Sequence, residues 1–173
     1  MTIDEIKEIV KRKYTNNIIR INHIIGVYEM AIRLANHYNV DSEEVAIAAL
    51  FHDYTKYDSV DEQIKYIDKA DILKYEHTPV MYHALSAANL IKIEFNIDNE
   101  SISSAISKHV WGNVNMNMID KIVLISDKIE LGRNYPTVKH FRELAFKDID
   151  QAIYEFLVEN IEYNQRKGFE IHP

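Results

Sequence analysis

Four glycines and three prolines are all that this 173-residue chain offers for punctuating tight turns. Strict apolar/polar alternation is equally hard to find, so the pattern encodes neither hairpins nor half-buried strands. Helices must dominate. A short helix runs to about Arg12. A long one from about Ile18 to Tyr38 sets Ile19, Asn22/His23, Gly26/Val27, Met30/Ala31 and Leu34 on the 3.6-residue period. Asp41 with Glu44 three residues on resembles a capping box and opens the apolar run VAIAALFH. Ser59 with Glu62 starts a helix through Ile67, and Thr78-Pro79 is an N-cap and N1 pair for a helix reaching about Phe95. Further helices fit Ser101 to His109, Met118 to Leu131, Thr137 to Phe146 and Asp148 to Tyr163, with Gly132 and Pro136 as breakers. The expectation is an all-α single domain over residues 1–173, a bundle of about eight to nine helices.

Composition narrows the chemistry. With 27 acidic residues against 20 Lys plus Arg, the net charge is -7 and no long basic stripe exists, which argues against nucleic acid as a partner. No apolar run approaches the roughly 18 residues of a membrane span. The opening MTIDEIKEIVKRKY mixes charge with apolar residues instead of forming a signal peptide's apolar stretch, so a cytoplasmic location is expected. There is no cysteine. Disulfides, thiolate zinc sites and thiol catalysis are therefore excluded, leaving His, Asp and Glu as metal ligands.

Four of the eight histidines, His23, His52, His83 and His109, fall within or at the ends of apolar helical segments. The sharpest local signal is Ala48-Ala49-Leu50-Phe51-His52-Asp53, a small-residue helix that ends in a His-Asp pair. A buried, unpaired Asp is costly, and a divalent cation compensates it. His23 on the long second helix and Asp127, which ends the run Ile122-Val123-Leu124-Ile125-Ser126, complete a set of two imidazoles and two carboxylates. Such a set suits iron or manganese, with zinc open and magnesium disfavoured, and leaves positions for a water that the metal acidifies into a nucleophile.

The order His23, His52-Asp53, Asp127 on helices resembles the HD-domain metal-dependent phosphohydrolases. Arg20-x-x-His23-x-x-Gly26-Val27, Leu50-Phe51-His52-Asp53-Tyr54-Thr55-Lys56, His83, Ala105-Ile106-x-x-His109 and Ser126-Asp127-x-Ile129-Glu130-x-x-Arg133-x-Tyr135 are together similar to the bacterial YqeK group. That resemblance implies an iron-dependent symmetrical bis(5'-nucleosyl)-tetraphosphatase, in which a metal-bound hydroxide cuts diadenosine tetraphosphate into two ADP. Its partner would be a small dinucleoside polyphosphate or nucleoside diphosphate. It implies His23, His52, Asp53 and Asp127 as metal ligands. Arg20, His83, His109 and Arg133 would contact phosphates, and the C-terminal His172-Pro173 would be a nucleotide-side contact closing the pocket. Asp53, Lys56, His109 and Arg133 are the catalytic candidates. In other HD enzymes, histidines comparable to His83 and His109 hold a second metal.

The chain departs from the group at Val110-Trp111-Gly112, where a Thr usually follows His, at Leu131 in place of Pro, and in stopping at Pro173. These changes touch leaving-group contacts and pocket closure, not the metal site. Glu130 is read either as a partner holding Arg133 or as a catalytic group. Trp111, Tyr54, Tyr57, Tyr82 and Tyr135 are read as core or rim in preference to base platforms. His37, His77 and His140 are read as solvated. Another HD phosphohydrolase acting on deoxynucleotides or a guanosine alarmone, a non-catalytic nucleotide sensor and a plain helical interaction module are the alternatives. A homodimer is left open.

Overall fold

Helix α1 (Ile3–Lys13) begins where the side chain of Thr2 accepts from the Glu5 amide while Glu5 reaches back to the Thr2 amide, a reciprocal capping box. The computed structural model describes residues 1–172, so Pro173, grouped above with His172, lies outside the described residues. Nine more α-helices follow: α2 (Ile18–Tyr38), α3 (Ser42–Phe51), α4 (Val60–Gln63), α5 (Lys69–Lys74), α6 (Tyr82–Phe95), α7 (Glu100–Ser107), α8 (Met118–Ile129), α9 (Val138–Lys147) and α10 (Ile149–Arg166). No strand occurs among the described residues.

The all-α expectation holds, and the departures have local causes. The segment after Ser59 divides into α4 and a 3-10 turn at Ile64–Tyr66. Helix α5 was not anticipated, and its N-cap Asp68 makes no side-chain capping bond. Thr78-Pro79 opens a 3-10 turn, Pro79–Met81, that leads into α6. Asp41 accepts from the amides of Glu43 and Glu44, but Glu44 takes a hydrogen bond from Asn99 Nδ2 at 2.8 Å, tying α3 to the start of α7. Ile19 is a correction: it is 79% exposed, because the first turn of α2 lies outside the core, which Ile21 is the first residue of this helix to touch and in which His23 and Ile24 are the first to be buried.

Helix α3 sits at the centre, against α1, α2, α7 and α8. Val45, Ala46, Ala48, Ala49, Leu50 and Phe51 are all buried, as expected of a helix that is apolar on every side. Its alanines let neighbouring helices approach closely. Leu50 and Phe51 supply bulk, and cutting either to Ala should cost about 2–5 kcal/mol. Helix α8 buries Ile122, Val123, Leu124 and Ile125 in the same core. The result brings three helical positions to one point: the middle of the first half of α2, the exit of α3 and the last turns of α8.

Candidate metal centre and its cavity

His23, His52, Asp53 and Asp127 are buried, and each offers one ligand atom such that all four lie within 4.8 Å of one another. His23 Nε2 is 2.9 Å from Asp127 Oδ1 and 3.6 Å from Asp53 Oδ2. His52 Nε2 stands 3.4 Å from each of the same two carboxylates. The four residues singled out as ligands in the sequence therefore converge.

Backbone carbonyls set the chemistry of two of the rings. His52 Nδ1 lies 2.6 Å from the Ala49 carbonyl, and since a carbonyl only accepts, Nδ1 carries the proton and Nε2 turns inward. His109 is held in the same way, with Nδ1 donating to the Ile106 carbonyl at 2.6 Å. His23 Nδ1 faces Glu130 Oε1 at 3.5 Å, and the other oxygen of Glu130 accepts from the Gly132 amide at 2.7 Å. This explains why α8 stops at Ile129 instead of reaching Leu131: Glu130 leaves the helical conformation to turn its carboxylate toward His23. Gly26 makes room, since a Cβ there would collide with Glu130 Oε2. Among the described residues the Glu130 carboxylate faces His23 and forms no ion pair with Arg133, whose backbone amide donates to the Glu130 carbonyl.

His52 Nε2 and Asp53 Oδ1 are buried without a hydrogen-bond partner among the described residues. Such orphaned atoms are expensive unless something else meets them. Burial by itself would lower the His52 pKa, but the charge of Asp53 and the closeness of both carboxylates raise it to about 10. Burial would raise Asp53, yet charged His52 and the neighbouring rings of His109 and His83 hold it well below the ordinary carboxylate range. Asp127 is likewise lowered against its burial, by Lys128, His23 and His52. A proton on His52 thus stands where a cation belongs. Nitrogen and oxygen donors, two of them orphaned, fit a divalent transition metal.

Asp53 also joins a second group. Its Oδ1 is 3.3 Å from His83 Nε2 and 3.5 Å from His109 Nε2, and the two rings approach each other at 3.1 Å. Burial, with the charges of His52 and His83, lowers the His109 pKa to about 4, so that ring is neutral.

Above these residues opens a cavity of about 580 Å³, within the usual range for a small-molecule site. Arg20, Lys56, Lys128 and Arg133 line it, a local positive charge inside an acidic protein. Arg20 Nη1 reaches Asp53 Oδ2 at 2.6 Å, and Arg133 Nη2 is 3.4 Å from Asp127 Oδ1. Lys128, whose Nζ sits 2.7 Å from Asp127 Oδ2, escaped the sequence reading because nothing distinguishes a lysine on an amphipathic helix. His172 lies against the rings of Trp111 and Tyr75 at the cavity mouth. His37, His77 and His140 are exposed, as read.

Comparison with known proteins agrees with this geometry. The HD domain family matches residues 20–153. The chain is 31% identical to the symmetrical bis(5'-nucleosyl)-tetraphosphatase of Bacillus subtilis (strain 168), an alignment covering 100% of this chain and 93% of that protein. It is 35% identical to the protein of the same name from Halalkalibacterium halodurans, over 96% of this chain and 89% of the other. A crystal structure described as an HD superfamily hydrolase involved in NAD metabolism, from Clostridium acetobutylicum, superposes with a TM-score of 0.90 at 29% identity, covering 99% and 92% of the two chains. With its His/Asp cluster buried at the junction of three helices and that family matched across most of its length, this chain belongs to the HD domain family.

Proposed function

We propose that this protein is a metal-dependent phosphohydrolase that cleaves diadenosine tetraphosphate symmetrically into two ADP. The observation that carries the reading is the convergence of His23, His52, Asp53 and Asp127 beside a basic cavity that Asp127, His83 and His109 line. Near-full-length similarity to two proteins named as symmetrical tetraphosphatases supports the choice of substrate. In this reading residues 1–173 form one HD domain.

The four floor residues would hold the ion, with iron first and manganese or zinc as the other choices for such a donor set. When bound, such an ion supplies Lewis acidity, making water more acidic and offsetting charge on phosphoryl oxygen. The protein's own groups do the remaining work. Arg133 and Lys56 neutralise phosphoryl oxygens as negative charge builds up on them, while Arg20, held by Tyr57, pins Asp53 at the cavity wall. Hydrolysis requires a water to form a bond to an inner phosphorus and to surrender a proton as the bridging P–O bond breaks. Asp53 Oδ1 has no hydrogen-bond partner, and His109 Nε2 carries a lone pair, so both are placed to accept that proton. Once protonated, His109, like His83 beside it, becomes a donor to phosphate. ADP then departs.

Symmetric cleavage also requires that one nucleoside diphosphate be gripped firmly enough to fix the register. The test is to incubate metal-loaded protein with diadenosine tetraphosphate and resolve the products. ADP alone is expected, whereas AMP plus ATP would refute the symmetric assignment. Elemental analysis of the purified protein distinguishes iron from manganese and zinc.

A further inference from the structure

At the mouth of the cavity three aromatic rings meet from three distant parts of the chain. Trp111 comes from the loop between α7 and α8, Tyr75 caps the end of α5, and His172 arrives on the tail beyond α10. The His172 ring lies 5.6 Å from the Trp111 ring at 27° and 5.2 Å from the Tyr75 ring at 34°. Gly168, at φ +81°, turns the chain at the end of α10, with the Phe169 amide donating back to the Asn164 carbonyl; this reversal starts the tail on its path to the two rings.

Trp111 is not a core residue. It is partly exposed and lines the same cavity as His109, two residues before it, which itself lies 3.5 Å from Asp53. One flat heteroaromatic ring, the imidazole of the tail, is already seated against it. Tyr135, Pro136, Phe156 and Tyr163 line the same cavity and add apolar and aromatic surface to it. The space therefore combines cationic side chains with aromatic ones, a combination that suits a polyphosphate carrying planar bases. Ring-on-ring contacts such as those of His172 are individually weak, and a purine presents a larger face than an imidazole.

From this we infer that Trp111 and Tyr75 form a nucleobase subsite for one end of the dinucleotide, and that His172 fills this subsite until a nucleotide displaces it. The inference rests on the function proposed above and assigns Trp111 as the residue that makes a second base matter to binding. It gives Trp111, read from the sequence as core or rim, a role in binding, since the residue lines the cavity.

The chain has a single tryptophan, so its intrinsic emission reports on position 111 alone. Titrating metal-loaded protein with ADP should quench that emission, while inorganic tripolyphosphate should leave it unchanged. Trp111→Ala should raise KM for diadenosine tetraphosphate about tenfold with kcat nearly unchanged, and Trp111→Phe should recover most of the loss. His172→Ala should empty the subsite and tighten ADP binding several-fold. Equal quenching by tripolyphosphate, no response to ADP, or weaker ADP binding by His172→Ala would each overturn the inference, even if turnover is normal. Absence of turnover by the wild-type protein would instead sink the substrate assignment, and the ADP titration would still decide the role of Trp111.

Discussion

The floor and the mouth of the cavity are built by different means. On the floor, four side chains from helices α2, α3 and α8 are buried, and two rings are pinned by carbonyls of their own chain: His52 by Ala49, and His109 by Ile106. At the mouth, Trp111, Tyr75 and His172 are partly exposed and meet through ring contacts alone. The difference separates two tasks. Chemistry needs positions held within a fraction of an ångström, which core packing supplies, whereas choosing among substrates tolerates adaptable surfaces.

The largest effect should come from the carboxylate shared by both floor groups. Asp53→Asn should abolish turnover and strip the ion, checked by elemental analysis of the purified variant; full metal content would break the division of labour described here. Next is Gly26→Ala, a change outside the cavity. Its Cβ would push Glu130 off His23, and loss of such an outer partner usually costs about 10–100-fold in metal affinity. A competitive chelator titration measures this, and a wild-type affinity would show that Glu130 does not orient His23.

Acid–base behaviour sharpens the comparison further. In ion-free protein His52 is raised from its ordinary 6.5 to about 10, so metal uptake near pH 8 must displace its proton. Calorimetry in buffers of different ionisation enthalpy should detect roughly one proton released, with apparent affinity climbing about tenfold per pH unit below 10. The same shift bears on folding. A raised pKa stabilises the ion-free fold fully below 6.5 and ceases to do so as pH rises through 10. Asp53 and Asp127, both lowered, contribute above their ordinary 3.8 and lose that contribution as pH falls. His109, lowered to about 4, costs stability as pH falls from 6.5 toward 4, so thermal midpoints of chelator-treated protein should peak near pH 6.5 and fall on either side. A profile that stays flat from pH 4 to 10 would count against the charge arrangement on the floor. The smallest effect belongs to the mouth: Arg166→Ala, at an exposed position on the cavity rim, should change KM only about two- to threefold in steady-state assays.

Much of the floor was legible in the sequence because burial and chemistry conflict there. A small-residue helix that ends in His52-Asp53, or an apolar run that ends in Asp127, breaks the expected pattern and so stands out. The span of helix α2, Ile18 to Tyr38, was legible from its 3.6-residue period. What stayed hidden depends on tertiary neighbours. The role of Gly26 is invisible without Glu130 across from it, and the early end of α8 follows from where that carboxylate must point. Ile19 has the right period and the wrong depth. His83 and His109 were marked as phosphate contacts; that both also reach Asp53 follows from how α6 and α7 pack together, which no local pattern records.

The ring of His52 is anchored to the last turn of its own helix, so its aim is decided before any ligand arrives. A molecule emptied by a chelator should then behave as a ready socket and not as a slackened one. Reloading would be a matter of diffusion and proton exchange, with no refolding to wait for.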